Sequence, residues 1–186
     1  MPSHSTRSLA VMEIRLLNEA DAESYCDLRL RMLREQPHAF TSSHDEEALK
    51  PLSWTQARLK ASEVSPVKFV LGAFSETDRL LGSVGLSVEE KLKQRHKALL
   101  FGMFTATEER NKGIGRALLM ECLDRASRVP GLEQINLTVT KGNAAERLYA
   151  SVGFDRFGIE PRAIKCDGKY YGKIHMVLRL EKTSNK

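Results

Sequence analysis

Three stretches in the second half of the chain restrict its topology more than any others. Ala98–Thr105 is an apolar run of strand length, Ile114–Ala126 carries a helical apolar stripe, and Gln134–Thr140 alternates apolar and polar residues. Strand, helix and strand in that order call for a parallel crossover, which a hairpin cannot supply. Between the first strand and the helix lies Arg110-Asn111-Lys112-Gly113-Ile114-Gly115-Arg116-Ala117. Two glycines at alternate positions let the backbone bend closely around a ligand, and the helix start adds unpaired N–H groups and the positive end of its dipole. An anion suits such a place. The spacing excludes a P-loop and a dinucleotide-binding Gly-x-Gly-x-x-Gly turn, the two commonest glycine-rich phosphate motifs.

The remaining elements are read around that unit. Val11–Leu17 alternates as a first strand, and Asn18 caps a helix over Glu19–Arg34 that Pro37 ends. His38–Pro51 is polar and irregular, and a second helix begins at Ser53 or Trp54 and stops before Pro66. Val67–Ser75 and Leu80–Val88, separated by Glu76-Thr77-Asp78-Arg79, form an antiparallel hairpin. A second hairpin leads through the charged Glu89–Lys97 into Ala98–Thr105, read as a buried central strand. Asn143 caps a short helix running to Tyr149, Gly153 breaks it, Phe154 starts a return strand, and Tyr170–Leu180 is the last strand. The fold class expected is therefore α/β in the broad sense: a mixed, mostly antiparallel sheet flanked by helices. One domain spans 11–181, with a flexible leader at 1–10 and a polar tail at 182–186.

No apolar run in the 186 residues approaches the roughly 20 needed to span a membrane, and Met1–Ala10 lacks the apolar centre of a signal peptide. Cys26, Cys122 and Cys166 are far apart, odd in number and without a Cys-x-x-Cys pair, so no metal is expected and a reducing cytoplasm fits. The net charge of +5 could serve nucleic acid or a polyanionic small molecule. Arg110, Lys112 and Arg116 stand beside the glycines and have a local anion to meet. Lys91, Lys93, Arg95 and Lys97 read as a solvated hairpin tip, so no nucleic-acid partner is expected.

Arg110-x-x-Gly113-x-Gly115 after a strand ending Met103-Phe104-Thr105, followed by Asn143-x-Ala145-x-x-Leu148-Tyr149-x-x-x-Gly153-Phe154, resembles the GNAT superfamily of N-acetyltransferases. Only Ala144 stands between Asn143 and Ala145, where the family usually places two residues. The resemblance covers nearly the whole chain and extends to uncharacterised bacterial members. It implies an acyl-CoA N-acyltransferase fold in which two adjacent parallel strands splay apart to admit the thioester arm of acetyl-CoA. Backbone N–H groups from Asn111 through Lys112, Gly113, Ile114, Gly115 and Arg116 toward Ala117 would hold the pyrophosphate, with Arg110, Lys112 and Arg116 adding charge. Phe104 and Thr105 match strand positions whose backbone pairs with pantetheine, and Asn143 matches one that touches the cofactor arm, besides capping its helix. Tyr149 would protonate the leaving thiolate as general acid. Its bland alternative is core packing with the hydroxyl bonded to backbone.

The activity implied is transfer of acetyl from acetyl-CoA to a primary amine by direct attack in a ternary complex. The alternative is a non-catalytic acyl-CoA binding or sensor module. Glu89, Glu90, Glu108 and His96 are the nearest bases along the chain, and spacing singles out none of them. Cys122 falls on an apolar helix face, which argues against a covalent cysteine mechanism. Arg162, Tyr170, Tyr171 and the His38–Trp54 segment are candidates for the acceptor side, and a homodimer is compatible with such a domain.

Overall fold

The computed structural model describes residues 12–64 and 67–180. The leader expected at 1–10 and the tail at 182–186 lie outside the described residues. Twelve principal elements follow in order: β1 (Glu13–Leu16), α1 (Ala22–Glu35), α2 (His44–Ala48), α3 (Leu52–Val64), β2 (Lys68–Phe74), β3 (Leu80–Val88), β4 (Lys97–Thr105), α4 (Ile114–Ser127), β5 (Gln134–Thr140), α5 (Ala145–Ser151), β6 (Asp155–Cys166) and β7 (Lys169–Arg179). The strands make one seven-stranded sheet in the order β1-β2-β3-β4-β5-β7-β6. Its paired neighbours are antiparallel except β4 and β5, which α4 joins as a parallel pair.

Both faces of the sheet are covered at β2, which is why that strand reads as an almost unbroken apolar run. Phe69, Leu71 and Ala73 join the core beneath α4, with Leu118, Leu119, Cys122 and Ala126 of that helix. Val70 and Phe74 turn the other way and meet Tyr25, Leu28 and Met32 of α1 and Leu59 of α3. This period-2 partition decides the layer to which each residue belongs.

Two readings change in the structure. His38–Pro51 is not wholly irregular: α2 forms there, because the Ser43 hydroxyl accepts the Glu46 N–H at 3.2 Å while the Glu46 carboxylate accepts the Ser43 N–H at 3.0 Å. This capping box stabilises a helix too short to have an apolar periodicity. Nor is β4 buried throughout, since Leu99 is 42 % exposed. Its pairing with β5 stops at Leu99↔Asn136, so the strand beyond lies along a gap.

Glu47 ties α2 to its neighbours, 3.4 Å from Arg29 of α1 and 2.9 Å from the Lys50 ammonium. Burial pushes its carboxyl up, but the hydrogen bonds from Lys50 and Arg29 outweigh this and hold it at about 2, below the usual 4.5. A depressed carboxyl contributes stability above the unfolded value and loses it as pH falls through the folded one. Glu47→Gln is therefore expected to unfold at lower temperature than the wild type at pH 7. The two curves should converge between pH 4.5 and about 2; a difference independent of pH would mean that the charge is not responsible.

Candidate active site

The gap between β4 and β5 has two local causes. Gly102 sits at φ +59°, and the register slips so that Gly102 and Met103 together face Val84 of β3. Such a bulge bends its strand, and glycine is the residue that takes the left-handed conformation without strain. The second cause is divergence of the strand ends, for β5 stays paired with β7 along its length while β4 follows β3. Gly102 was not singled out from the sequence, although a glycine inside an apolar strand is the ordinary signal of a bulge.

A cavity of about 510 Å³ occupies the gap, bounded by Leu100–Thr105 of β4, Leu137–Thr140 of β5, the start of α5 and the first turn of α4. Ala106 N–H donates to the Leu81 carbonyl at 2.8 Å, and Phe104 is the register partner of Ser83. By alternation, the amide groups of Phe104 point to β3 while those of Met103 and Thr105 point into the gap. The Phe104 side chain is buried in the α1-facing core. Thr105 thus offers the cavity its backbone, whereas Phe104 does not.

The glycine segment closes one end. Asn111 (φ +61°) and Gly113 (φ +85°) are both left-handed, which turns the chain abruptly into α4. The first bond of the helix runs from Ala117 N–H to the Gly113 carbonyl at 3.0 Å, so the Ala117 amide is used and the helix-start amides before it have no helical acceptor. Among the basic side chains, Lys112 is 2.9 Å from Glu109 and Arg116 donates to the Ser151 hydroxyl at 3.0 Å, while Arg110 lines the cavity. The Ile114 side chain is buried in the core. Glu108 is spanned by Arg31 and Arg79, and Glu109 by Arg79 and Lys112, a network that fixes the turn before the glycines. The Arg31 bond holds Glu108 at about 2.

The two glycines differ in what they require. An added Cβ at Gly113 would touch nothing within 4 Å, so its need is purely conformational. At Gly115 the Cβ would sit 3.4 Å from Met103 and 3.5 Å from the Thr105 hydroxyl, ordinary contact distances. Gly113→Ala should cost about 1–2 kcal/mol through its backbone. Gly115→Ala should leave stability unchanged or raise it by up to about 1 kcal/mol through helix propensity. Urea unfolding of both variants checks the contrast, and equal midpoints would refute it.

At the other end of the first turn of α5, the Asn143 carboxamide accepts the Ala145 N–H at 2.9 Å, and Asn143 also lines the cavity. One helical turn on, Tyr149 is 5 % exposed, packs its ring edge-on against Phe154 at 5.9 Å and borders the same space. Its hydroxyl makes no hydrogen bond to protein among the described residues, and it is not one of the fully enclosed unpaired polar atoms. Burial, with a smaller contribution from nearby Cys122, pushes its pKa above the ordinary tyrosine range. Glu89, Glu90, His96 and Glu108 do not line the cavity. Among the described residues, His38 is the imidazole that does, stacked on Tyr171 at 5.1 Å with its carbonyl accepting the Thr140 hydroxyl at 2.9 Å. No sequence spacing marked His38, because a contact between residues 38 and 171 is made only by folding. Tyr170 lies on the β6–β7 hairpin under Arg162, whose guanidinium is 3.8 Å from its ring centre.

A helix start with amides free of helical acceptors, an unpaired strand edge and the Tyr149 phenol lie along one cleft. The profile described as an acetyltransferase (GNAT) domain matches residues 14–176, and the chain belongs to that family. An acetyltransferase of the GNAT family from Streptococcus pneumoniae is 24% identical and superposes with a TM-score of 0.80, covering 91% of this chain and 100% of its own. A ribosomal-protein-alanine N-acetyltransferase from Brucella melitensis is 24% identical over 90% of this chain and 99% of its own, TM-score 0.77. A phosphinothricin acetyltransferase from Sinorhizobium meliloti, solved in complex with acetyl-CoA, is 18% identical over 94% and 91%, TM-score 0.78. The last two are named for unlike acceptors yet match almost equally well, so likeness of fold does not select an acceptor. Among the described residues no cluster of side chains could hold a metal, and no helix is long and apolar enough to cross a membrane.

Proposed function

We propose that the protein transfers acetyl from acetyl-CoA to a primary amine. The observation that carries this reading is the end of β4–β5 pairing at Leu99↔Asn136, which leaves a strand edge beside an anion site and Tyr149 in one cleft. The residues present fit the donor. The amides of Asn111–Arg116 suit a pyrophosphate, with Arg110 as the side chain nearest to hand. The edge of Met103 and Thr105 suits the pantetheine amides, as in strand addition. Asn143, already engaged as a cap, adds a polar wall.

Acetyl-CoA supplies an activated thioester; attack by the amine forms the C–N bond as the C–S bond breaks, and the nitrogen gives up a proton while the sulfur gains one. Tyr149, kept protonated by burial, donates to the departing sulfur. His38 is the group placed to accept the amine proton. The three cysteines are free, which supports a reducing, cytoplasmic setting. Cys122, fully buried, has its thiol pushed up to about 12 by burial and takes no part.

The test is acetyl-CoA turnover followed as free thiol across a panel of amines. Acceptor-dependent release is expected. Tight acetyl-CoA binding without any such release would instead establish the non-catalytic binding module.

A further inference from the structure

The donor cleft is not the only space at the strand split. A second cavity of about 250 Å³ shares Phe40, Leu100, Gly102, Thr138 and Thr140 with it, so the two meet where β4 leaves β5. Its remaining wall brings together Arg29 of α1, Arg58 of α3 and Lys173 of β7, from three parts of the chain, with the hydroxyls of Thr41 and Ser42. No carboxylate lines it.

Of the three cations only Arg29 has a carboxylate partner among the described residues. Glu47, outside the cavity wall, is 3.4 Å from Arg29 but shares itself with Lys50 at 2.9 Å. Glu160 is the register partner of Lys173 on β6, yet its carboxylate lies 3.4 Å from the His175 ring. Arg58 lies against the rings of Trp54 and Phe101, 5.6 and 5.0 Å from their centres, and meets no carboxylate among the described residues. The Lys173 ammonium donates to the Thr41 hydroxyl at 2.6 Å. Three cations and a set of hydroxyls around a cavity without an acid are suited to an oxyanion.

We infer that the amine acceptor carries a carboxylate or a like oxyanion, held in this recess by Arg58 and Lys173 with Arg29 beside them. The inference rests on the acetyl-transfer reading, because the recess adjoins the end of the cleft where the acetyl group would be delivered. The oxyanion is a spectator: the nitrogen becomes an amide, and the acid group leaves unchanged. A polycationic acceptor is disfavoured by the same charges.

The test uses the full chain with acetyl-CoA and matched pairs, each an α-amino acid and its primary amide, with spermidine as a polycation. Thiol release gives kcat and KM, and calorimetry measures binding of the same compounds to the protein loaded with CoA. At least one acid is expected to exceed its amide by about 100-fold in kcat/KM, the scale of an enclosed charge contact. Arg58→Gln and Lys173→Gln should each cut that ratio at least about tenfold. Lys93→Gln, which removes a charge from an exposed turn, should preserve it. Amides or spermidine used as well as the acids, or a ratio untouched in R58Q and K173Q, would overturn the inference, as would failure of every acid to bind. Acids bound in preference to amides without thiol release would uphold the recess and refute transfer; acetylation indifferent to the carboxylate would do the reverse.

Discussion

Tyr149→Phe is expected to lower kcat by about 10²–10⁴, the usual worth of a positioned general acid, while leaving the KM for acetyl-CoA within about twofold. The ring packs against Phe154 and would stay in place, since only the hydroxyl is removed. That hydroxyl has no hydrogen-bond partner among the described residues, so stability should change by no more than about 0.5 kcal/mol. Loss of rate without loss of stability is the signature of a phenol held for chemistry. The pH dependence follows from the raised pKa: a general acid works while protonated, and burial keeps this one protonated beyond the ordinary tyrosine value of about 10. The rate carried by Tyr149 should therefore persist to alkaline pH instead of declining near neutrality. An unchanged kcat in the variant would remove the acid role; a large fall in stability would return the hydroxyl to a structural one.

Leu118→Ala should cost about 2–5 kcal/mol by loss of buried surface and creation of a cavity. Leu118 is fully buried on α4, in the core that the helix forms with the sheet. Against a total stability of about 5–15 kcal/mol, this is a large share, and thermal unfolding should move down by about 10 °C. Its neighbour across the interface is Gly82 of β3, whose added Cβ would lie 3.2 Å from a Leu118 methyl but 2.7 Å from the Phe104 carbonyl oxygen. The tighter clash is with backbone. Leu118→Ala should therefore fail to rescue Gly82→Ala, and the double variant should be less stable than either single one. Rescue would mean that the side chain, and not the backbone of β4, limits the approach of the two strands.

The glycine turn and the start of α4 were legible in the sequence because their requirements are local. Gly113 and the residues around it make a turn and a helix start from consecutive positions, and Tyr149 is set by the turn of a single short helix. What was not legible lies across chain separations. The direction of the Phe104 and Thr105 amides depends on which carbonyl of β3 Ala106 bonds, and so on register. Glu108 and Glu109 stood beside the glycines in the sequence, but the arginines that hold them come from α1 and the β2–β3 turn.

By itself the sequence determined the family, the layered mixed sheet and the glycine turn at the start of α4, because periodicity, glycine positions and helix starts are written in neighbouring residues. Tertiary structure alone decided where β4 leaves β5, which amides face the gap, and that Arg29, Arg58 and Lys173 share one recess adjoining the cleft. Their proximity arises from the packing of α1 and α3 against one face of a sheet that β7 enters from the other end of the chain, and no local pattern encodes it.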